Sequence, residues 1–382
     1  MIYFRDSSMV KILIVGVSNR VGGIETFFHG LFKEKSNLYN ISFLTFSEKC
    51  AFEDEYLRNG YNVYHLPTRR SHPLKFSGSI KNFYKDHNDF DYIWVNTASM
   101  SMYELQYYGK KKTRAKIITH SHGIAIEKTS GALLYVLNNL LSKFNYRKVI
   151  KNTDLFFCCS QMAGLALFGK KYEKNLIVIN NGIDTEKFRF NLAFRSEIRE
   201  SLGINTESLV FAIVGRLSEV KNPFKAISVF EKLHKIHENS MLLIVGDGEL
   251  MVDIKERIGS SGLEKNVKVL GLRQDVYKIM SAVDILLMPS MFEGFPLSAV
   301  EAQASGVMCM LSDTITKEVA VTDLVNFLSI KEDDEIWAKY IVQNYLVATH
   351  REQYAEKMQN LGYDKKDILS NLTLMLEREK KG

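Results

Sequence analysis

Short, uninterrupted apolar runs separated by helical stretches constrain this chain more than any other feature. Val10-Lys-Ile-Leu-Ile-Val15 leads into a glycine-bearing loop, Gly16 to Gly23, and then a helical stretch over 24–35. Strand-like segments recur at 41–46, 62–66, 92–96, 116–119, 155–159 and 176–179. The alternation restarts at Leu209-Val-Phe-Ala-Ile-Val214, with a helix expected over 223–237 and strands at 241–245, 267–270, 284–288 and, shorter, 308–311. Residues from about 335 onward read as helices, including the charged stretch 364–381. Strands that are apolar throughout, rather than alternately, and that are joined by helices belong to parallel sheets covered on both faces.

The pattern therefore predicts an α/β chain of two doubly wound, Rossmann-like domains facing across a cleft, and 382 residues suffice for both. The turn cluster Asn180-Asn-Gly-Ile-Asp-Thr-Glu-Lys187 marks the division. The expected domains are 1–185 and 186–363, with a C-terminal helix over 364–382 that packs back on the first domain. Met9 reads as a natural first residue, with 1–8 as an extension.

Charge is divided between the halves. Residues 1–190 hold 27 Lys+Arg against 16 Asp+Glu, and residues 191–382 hold 23 against 28. Within the basic half, 101–150 alone counts 9 against 2. An anionic membrane surface suits such a half better than nucleic acid, because the chain carries no helix-turn-helix, RNP or zinc pattern. A scattered solvated surface remains the alternative. No apolar run approaches the ~18–20 residues of a membrane span, and the N-terminus has no apolar signal core. Cys50, Cys158, Cys159 and Cys309 form no C-x-x-C pair and read as small buried hydrophobes in a reducing compartment. The expected location is cytoplasmic, peripheral on the inner face of the cell membrane.

In doubly wound sheets ligands sit beyond the carboxyl ends of strands. After the first strand, Gly22 and Gly23 open a helix and suit an anion, although the spacing is not G-x-G-x-x-G. An ordinary tight turn has the same composition. After 116–119 comes His120-Ser-His122-Gly123. His122 there suits a polar contact to substrate, against the alternatives of a core or surface histidine and of a metal ligand lacking a third partner. After 209–214 come Arg216, a planar donor fork, and Lys221, a mobile ammonium. Asn222 suits an N-cap and Pro223 the first helical position, so both cations stand beside a helix N-terminus, as a diphosphate requires. After 284–288 comes Pro289-Ser-Met-Phe-Glu293-Gly294-Phe-Pro296-Leu-Ser-Ala-Val-Glu301. Gly294 turns the chain, Pro296 starts a helix, and Gly306 ends it. Glu293 and Glu301 flank the helix N-terminus, two acceptors for sugar hydroxyls around a phosphate site.

Glu293–x7–Glu301 within that stretch resembles the E-x7-E region of retaining, GT-B-fold glycosyltransferases of family 4. Val214-Gly-Arg216 with Lys221-Asn222, Val245-Gly-Asp-Gly248, Asn181-Gly-Ile-Asp184 and Gly22-Gly-Ile-Glu25 match the family in order, over roughly residues 10–330. His120-Ser-His122 and Ser312-Asp-Thr-Ile-Thr-Lys-Glu318 look like bacterial enzymes of capsule or exopolysaccharide assembly. The resemblance implies that Arg216 and Lys221 bind the donor diphosphate and that Glu301 holds the ribose. It implies that Glu293 contacts the donor sugar, with the backbone of Gly294, Phe295, Pro296 and Leu297 near sugar and phosphate. Gly23 would border the phosphates, His122 would lie near the sugar, and backbone around Leu272 and Arg273 would meet the base. Met308 stands where the family usually has proline.

The expected reaction moves a hexose or N-acetylhexosamine from a UDP-linked donor to a polyprenyl-diphosphate-linked saccharide, with retention and without a metal or other cofactor. Asp89-Phe-Asp91 is formally D-x-D but precedes a strand instead of following one, so it is not read as a metal motif. A nucleotide-sugar epimerase or a non-catalytic sugar-nucleotide binder is the rival reading. The apolar–basic stretch 133–151, with Leu134, Leu137, Leu141 and Phe144 at helical spacing near Lys143, Arg147 and Lys148, is expected either to meet lipid or to face the core.

Overall fold

The computed structural model describes residues 9–19, 21–32, 38–122, 132–345 and 350–381, with backbone only for 132–135 and 381. The extension 1–8, Gly123 and the Leu134 side chain therefore lie outside the described residues.

The chain forms two compact units, residues 1–181 with 366–382, and residues 182–365. In the first, β1 (Val10–Val17), β2 (Tyr39–Thr45), β3 (Asn62–His65), β4 (Tyr92–Thr97), β5 (Lys116–Ser121), β6 (Leu155–Cys158) and β7 (Leu176–Val178) make one sheet. Its order is β3-β2-β1-β4-β5-β6-β7, and every pairing is parallel. The strands are apolar throughout because both faces are covered. Phe27, Phe28, Tyr56 and Trp94 fill one side, and Phe76, Ile80, Phe83 and Tyr84 the other.

The last helix, Lys365–Lys381, belongs to this first unit from Lys366 onward. Its Ile368, Leu372 and Leu376 join the core that holds Trp94. Tyr92 donates its hydroxyl proton to the Leu376 carbonyl at 2.6 Å, and Tyr39 hydrogen-bonds Thr373.

In the second unit β8 (Leu209–Val214), β9 (Ser240–Val245), β10 (Val267–Gly271), β11 (Ile285–Met288), β12 (Met308–Ser312) and β13 (Val325–Leu328) are ordered β10-β9-β8-β11-β12-β13, again all parallel. The sequence reading missed β13, a half-buried edge strand of four residues. Ile244, Leu287, Met310 and Trp337 pack the core on one face. Both sheets share the 3-2-1-4-5-6 order, in which neighbouring strands run off in opposite directions on either side of the first strand. A crevice opens at that switch point, outside the carboxyl ends. It lies between β1 and β4 in the first unit and between β8 and β11 in the second.

Candidate active site

In the second unit, the loops after β8 and β11 are tied together across the switch point. The Met291 amide donates to the Val220 carbonyl at 2.7 Å. Asn222 holds the N-cap position of the helix Pro223–Ile236, but in the left-handed region (φ 52°), and its side chain caps nothing. Its amide Nδ2 instead donates to the Pro289 carbonyl at 3.2 Å. Pro223 occupies the first turn as expected for a residue without an N–H. A third loop closes over β8. Gly246 adopts φ +135°, and a Cβ there would stand 1.9 Å from the Gly215 carbonyl oxygen. The glycines of Val245-Gly-Asp-Gly248 thus serve the approach of two backbones.

This lacing brings Lys221 to Glu293. The ammonium ion-pairs with Glu293 Oε1, and the two side chains are 23% and 15% exposed. Ser290 Oγ donates to the same Glu293 oxygen at 3.2 Å. The Ser290 carbonyl accepts from Ser312 Oγ at 2.5 Å and from Thr314 Oγ1 at 2.7 Å, and Glu293 bridges to Ile315 in strand fashion. The Ser312-Asp-Thr motif therefore braces the loop that carries Glu293. Arg216 is more open, 51% exposed, and pairs with Glu249 at 3.1 Å. Neither Asn222 as a cross-loop tie nor Glu249 as the partner of Arg216 was singled out from sequence.

The helix after Glu293 is Leu297–Ala304. Pro296 is its N-cap, one position earlier than expected, and the chain leaves the helix before Gly306, whose φ is +64°. Phe295 is buried and stacked on Tyr363 at 6.0 Å, which fixes the approach to the helix. Glu301 lies one turn into the helix. Among the described residues its carboxylate has no hydrogen-bond or ion-pair partner. Burial raises its pKa to about 7, with Lys187 pulling the other way. The residue keeps a partly accessible surface, so its unsatisfied oxygens can be met by a ligand. Leu272 is exposed beyond β10, and Arg273 is held by Asp275 at 2.6 Å.

The first unit builds a different constellation. Gly16, at φ +102°, lies so close to β4 that a Cβ would stand 2.7 Å from the Asn96 carbonyl oxygen. Gly23 begins the helix Gly23–Phe32, with open space where a Cβ would point. Glu25 in its first turn accepts from the Ser18 amide at 2.8 Å. Phe27 and Phe28 from the same helix pack edge-on against His122, one residue past β5. His122 Nε2 meets Asn96 Oδ1 at 2.8 Å. His120 is fully buried, takes a hydrogen bond from Trp94 Nε1 at 3.2 Å, and lies 3.8 Å from the His122 ring, centroid to centroid. Burial pushes His120 well below the usual histidine range and His122 down to about 3. Among the described residues His120 Nε2 and His122 Nδ1 are buried with no partner, which costs about 1–3 kcal/mol for each such group.

Asp89 and Asp91 serve the fold. Asp89 pairs with Lys11 at 2.6 Å, while Asp91 accepts from the Lys11 amide and from Lys380. Among the described residues no three of His, Cys, Asp and Glu are grouped to hold a metal ion, and no helix is long and apolar enough to cross a membrane. The helix Ala132–Lys151 exposes Val136, Leu137, Leu140 and Phe144 as one stripe. Lys143, Arg147 and Lys151 are exposed along it. Leu141, expected on the apolar stripe, is half-buried, and Lys148 rests over the Tyr103 ring at 4.2 Å.

Comparison with known proteins covers both units. Residues 21–187 match the family model Glycosyltransferase Family 4, and residues 194–361 match Glycosyl transferases group 1. EpsF of Bacillus subtilis, a glycosyltransferase by name, is 29% identical over 94% of this chain and 94% of that protein. The UDP-Gal:alpha-D-GlcNAc-diphosphoundecaprenol alpha-1,3-galactosyltransferase of Escherichia coli is 31% identical over 68% of each. The fold is shared with Anabaena Alr3699/HepE, solved in complex with UDP-glucose, at a TM-score of 0.74 and 19% identity over 96% of this chain and 99% of that one.

Proposed function

We infer the reaction from the family to which this chain belongs, the GT-B glycosyltransferases of family 4: it moves a hexose or N-acetylhexosamine from a UDP-linked donor to a polyprenyl-diphosphate-linked saccharide in bacterial surface polysaccharide synthesis. The observation that carries this reading is the Lys221–Glu293 pair at the head of the helix Leu297–Ala304, with Arg216 on the adjoining loop. The donor and acceptor written into the name of the Escherichia coli relative support the same substrate classes.

Breaking the anomeric bond leaves negative charge on the departing diphosphate. Cations and helix amides fixed where that charge develops lower the barrier without a metal. Lys221 is held by Glu293, and Arg216 by Glu249, so each cation is already desolvated on one side and neutralised until a diphosphate competes for it. A diphosphate that takes Lys221 releases Glu293 to accept from a sugar hydroxyl. Glu301, with free carboxylate oxygens, accepts from the ribose. His122 meets the donor sugar, and Gly23, without a side chain, lets phosphate approach the helix it begins. The anomeric configuration is retained. The exposed apolar stripe and basic residues of the helix Ala132–Lys151 rest on an anionic membrane surface, where a lipid-linked acceptor resides.

A screen of UDP- and GDP-sugars in EDTA, with and without an undecaprenyl-diphosphate-linked saccharide, tests the reading. Acceptor-dependent release of UDP with an α-linked product from an α-linked donor is expected. No nucleotide release from any donor, or release only with added metal, contradicts it. For the membrane, Lys143→Glu/Arg147→Glu/Lys151→Glu should abolish flotation with anionic vesicles, and equal flotation of both proteins removes that part.

A further inference from the structure

At the amino ends of β8, β11 and β12, the other end of the sheet from the loops of Lys221 and Glu293, three arginines surround one carboxylate. Asp284, buried just before β11, pairs with Arg195 at 2.9 Å through one oxygen. Its other oxygen meets Arg199 at 2.8 Å and the Val210 amide at 2.9 Å. Arg199 directs its remaining N–H groups to the carbonyls of Ala282, Asn205, Thr206 and Ser208. Arg351 is held differently. Its Nε donates to the Ser305 carbonyl at 3.0 Å and its Nη2 to the Met280 carbonyl at 3.1 Å, while Phe190 covers the guanidinium at 4.4 Å. Its Nη1 stands 3.9 Å from Asp284, too far for a hydrogen bond, and has no other partner among the described residues. Arg351 is only 8% exposed. Burial lowers its pKa to about 10, with Asp284 opposing the shift and Arg195 and Arg199 adding to it.

A cavity of about 560 Å³ opens on this group, lined by Arg195, Arg351 and Asp284 and walled by Phe190, Met308, Val342 and Tyr345. Such a volume suits a small molecule, and the apolar walls suit an uncharged body. Glu207 and Glu352 also line it, but both are exposed, where water weakens their field. Cations that outnumber the buried carboxylate favour an anion, and a guanidinium edge with unused N–H groups favours the oxygens of a carboxylate or a phosphate. We propose that this cavity is a second ligand site of the unit, taking a small molecule with an oxyanion on a compact apolar body, and that Arg351 Nη1 meets the oxyanion with Arg195 beside it. The site lies a strand length from the loops of Lys221 and Glu293, roughly 20 Å for the six residues of β8, so this ligand and a nucleotide can be bound together. Carboxylate and phosphate offer the same oxygens to Arg351, and the test separates them.

The probes are phenyl phosphate and benzoate, with benzyl alcohol as the uncharged body, each titrated calorimetrically into the full chain at fixed ionic strength. At least one anion should bind at one site per chain, with the same affinity with and without saturating UDP. Tighter binding of phenyl phosphate marks phosphate as the preferred group, and tighter binding of benzoate marks carboxylate. Benzyl alcohol should bind at least about tenfold more weakly than the preferred anion, the loss of one charge-assisted hydrogen bond. Arg351→Gln removes the charge and keeps an amide donor for the neighbouring carbonyls. It should weaken the anion by about tenfold or more and leave UDP binding unchanged. Should Arg351→Gln fail to fold, Val342→Trp gives the second variant. Val342 is 38% exposed, so the larger side chain fills the cavity while all three arginines stay, and anion binding should be lost. Anion affinity equal to wild type in either folded variant would overturn the proposal. So would equal binding of benzyl alcohol and the anions, displacement of the anion by UDP, or no binding of either anion.

Discussion

The two units share one strand order but equip the carboxyl ends of their strands in opposite ways. The second unit gathers charge: Lys221 on Glu293, Arg216 on Glu249, and Glu301 without a partner among the described residues. The first gathers neutral groups under aromatic rings: His120, His122, Trp94 and Asn96. At the carboxyl ends of its strands, then, the second unit presents charge suited to an anion, while the cluster around β4 and β5 of the first presents uncharged polar groups.

The largest effect should fall on the charged side. Lys221→Ala should reduce turnover by roughly 100- to 1000-fold, the loss typical of one donor to a developing oxyanion, as measured by UDP release. A loss under threefold would erase the distinction between the units. Next comes the backbone. Gly246→Ala must place a Cβ against the Gly215 carbonyl at φ +135°, and should destabilise the second unit by about 3 kcal/mol or more. Gly23→Ala in the first unit meets open space and should stay within about 0.5 kcal/mol. Calorimetric melting that moved equally for both would show that the glycine loops are not built differently.

The pH response should separate the units by sign. His120 and His122 are neutral when folded, with pKa values lowered, so the unfolded chain binds more protons below about pH 6.5, and the first unit should lose stability on acidification. Glu301 is raised from 4.5 to about 7, so here the folded chain binds the extra proton. Its contribution is full below about pH 4.5 and is lost as pH rises through 7. Glu301→Gln should therefore raise the melting temperature of the second unit at pH 8.5 and leave it unchanged at pH 4. A uniform shift at both pH values would refute the buried carboxyl. The smallest effect is at the surface. Glu249→Gln should change the donor KM by less than about fivefold, because the Arg216–Glu249 pair is exposed. A larger change would make Glu249 a fixed part of the grip.

Much of the fold was legible because buried parallel strands advertise themselves as unbroken apolar runs. β13 did not, since Val325-Asn-Phe-Leu328 is an edge strand with a polar residue in its middle. Lys221 and Glu293 were legible as residues following strands. Their direct pairing was not, because it depends on Asn222 reaching Pro289 across 67 residues of chain. Pro296 was placed one position late, a difference within the reach of how a first turn is hydrogen-bonded. In the helix Ala132–Lys151 the spacing was right in part: Leu137 and Phe144 lie on the exposed stripe with Val136 and Leu140, Leu141 is half-buried, and the Leu134 side chain lies outside the described residues. Periodicity reports that a face exists and leaves its direction to the neighbours. His120 looked like half of a histidine pair. Its tautomer comes from Trp94, on another strand.

The central claim, that the second unit grips a nucleoside diphosphate through fixed charge, is tested most directly by calorimetric titration of UDP in EDTA into wild type, Lys221→Ala and His120→Phe. The account predicts tight binding by wild type and His120→Phe and binding at least about tenfold weaker by Lys221→Ala, the loss of one charge-assisted hydrogen bond. Equal UDP affinity for wild type and Lys221→Ala would contradict it.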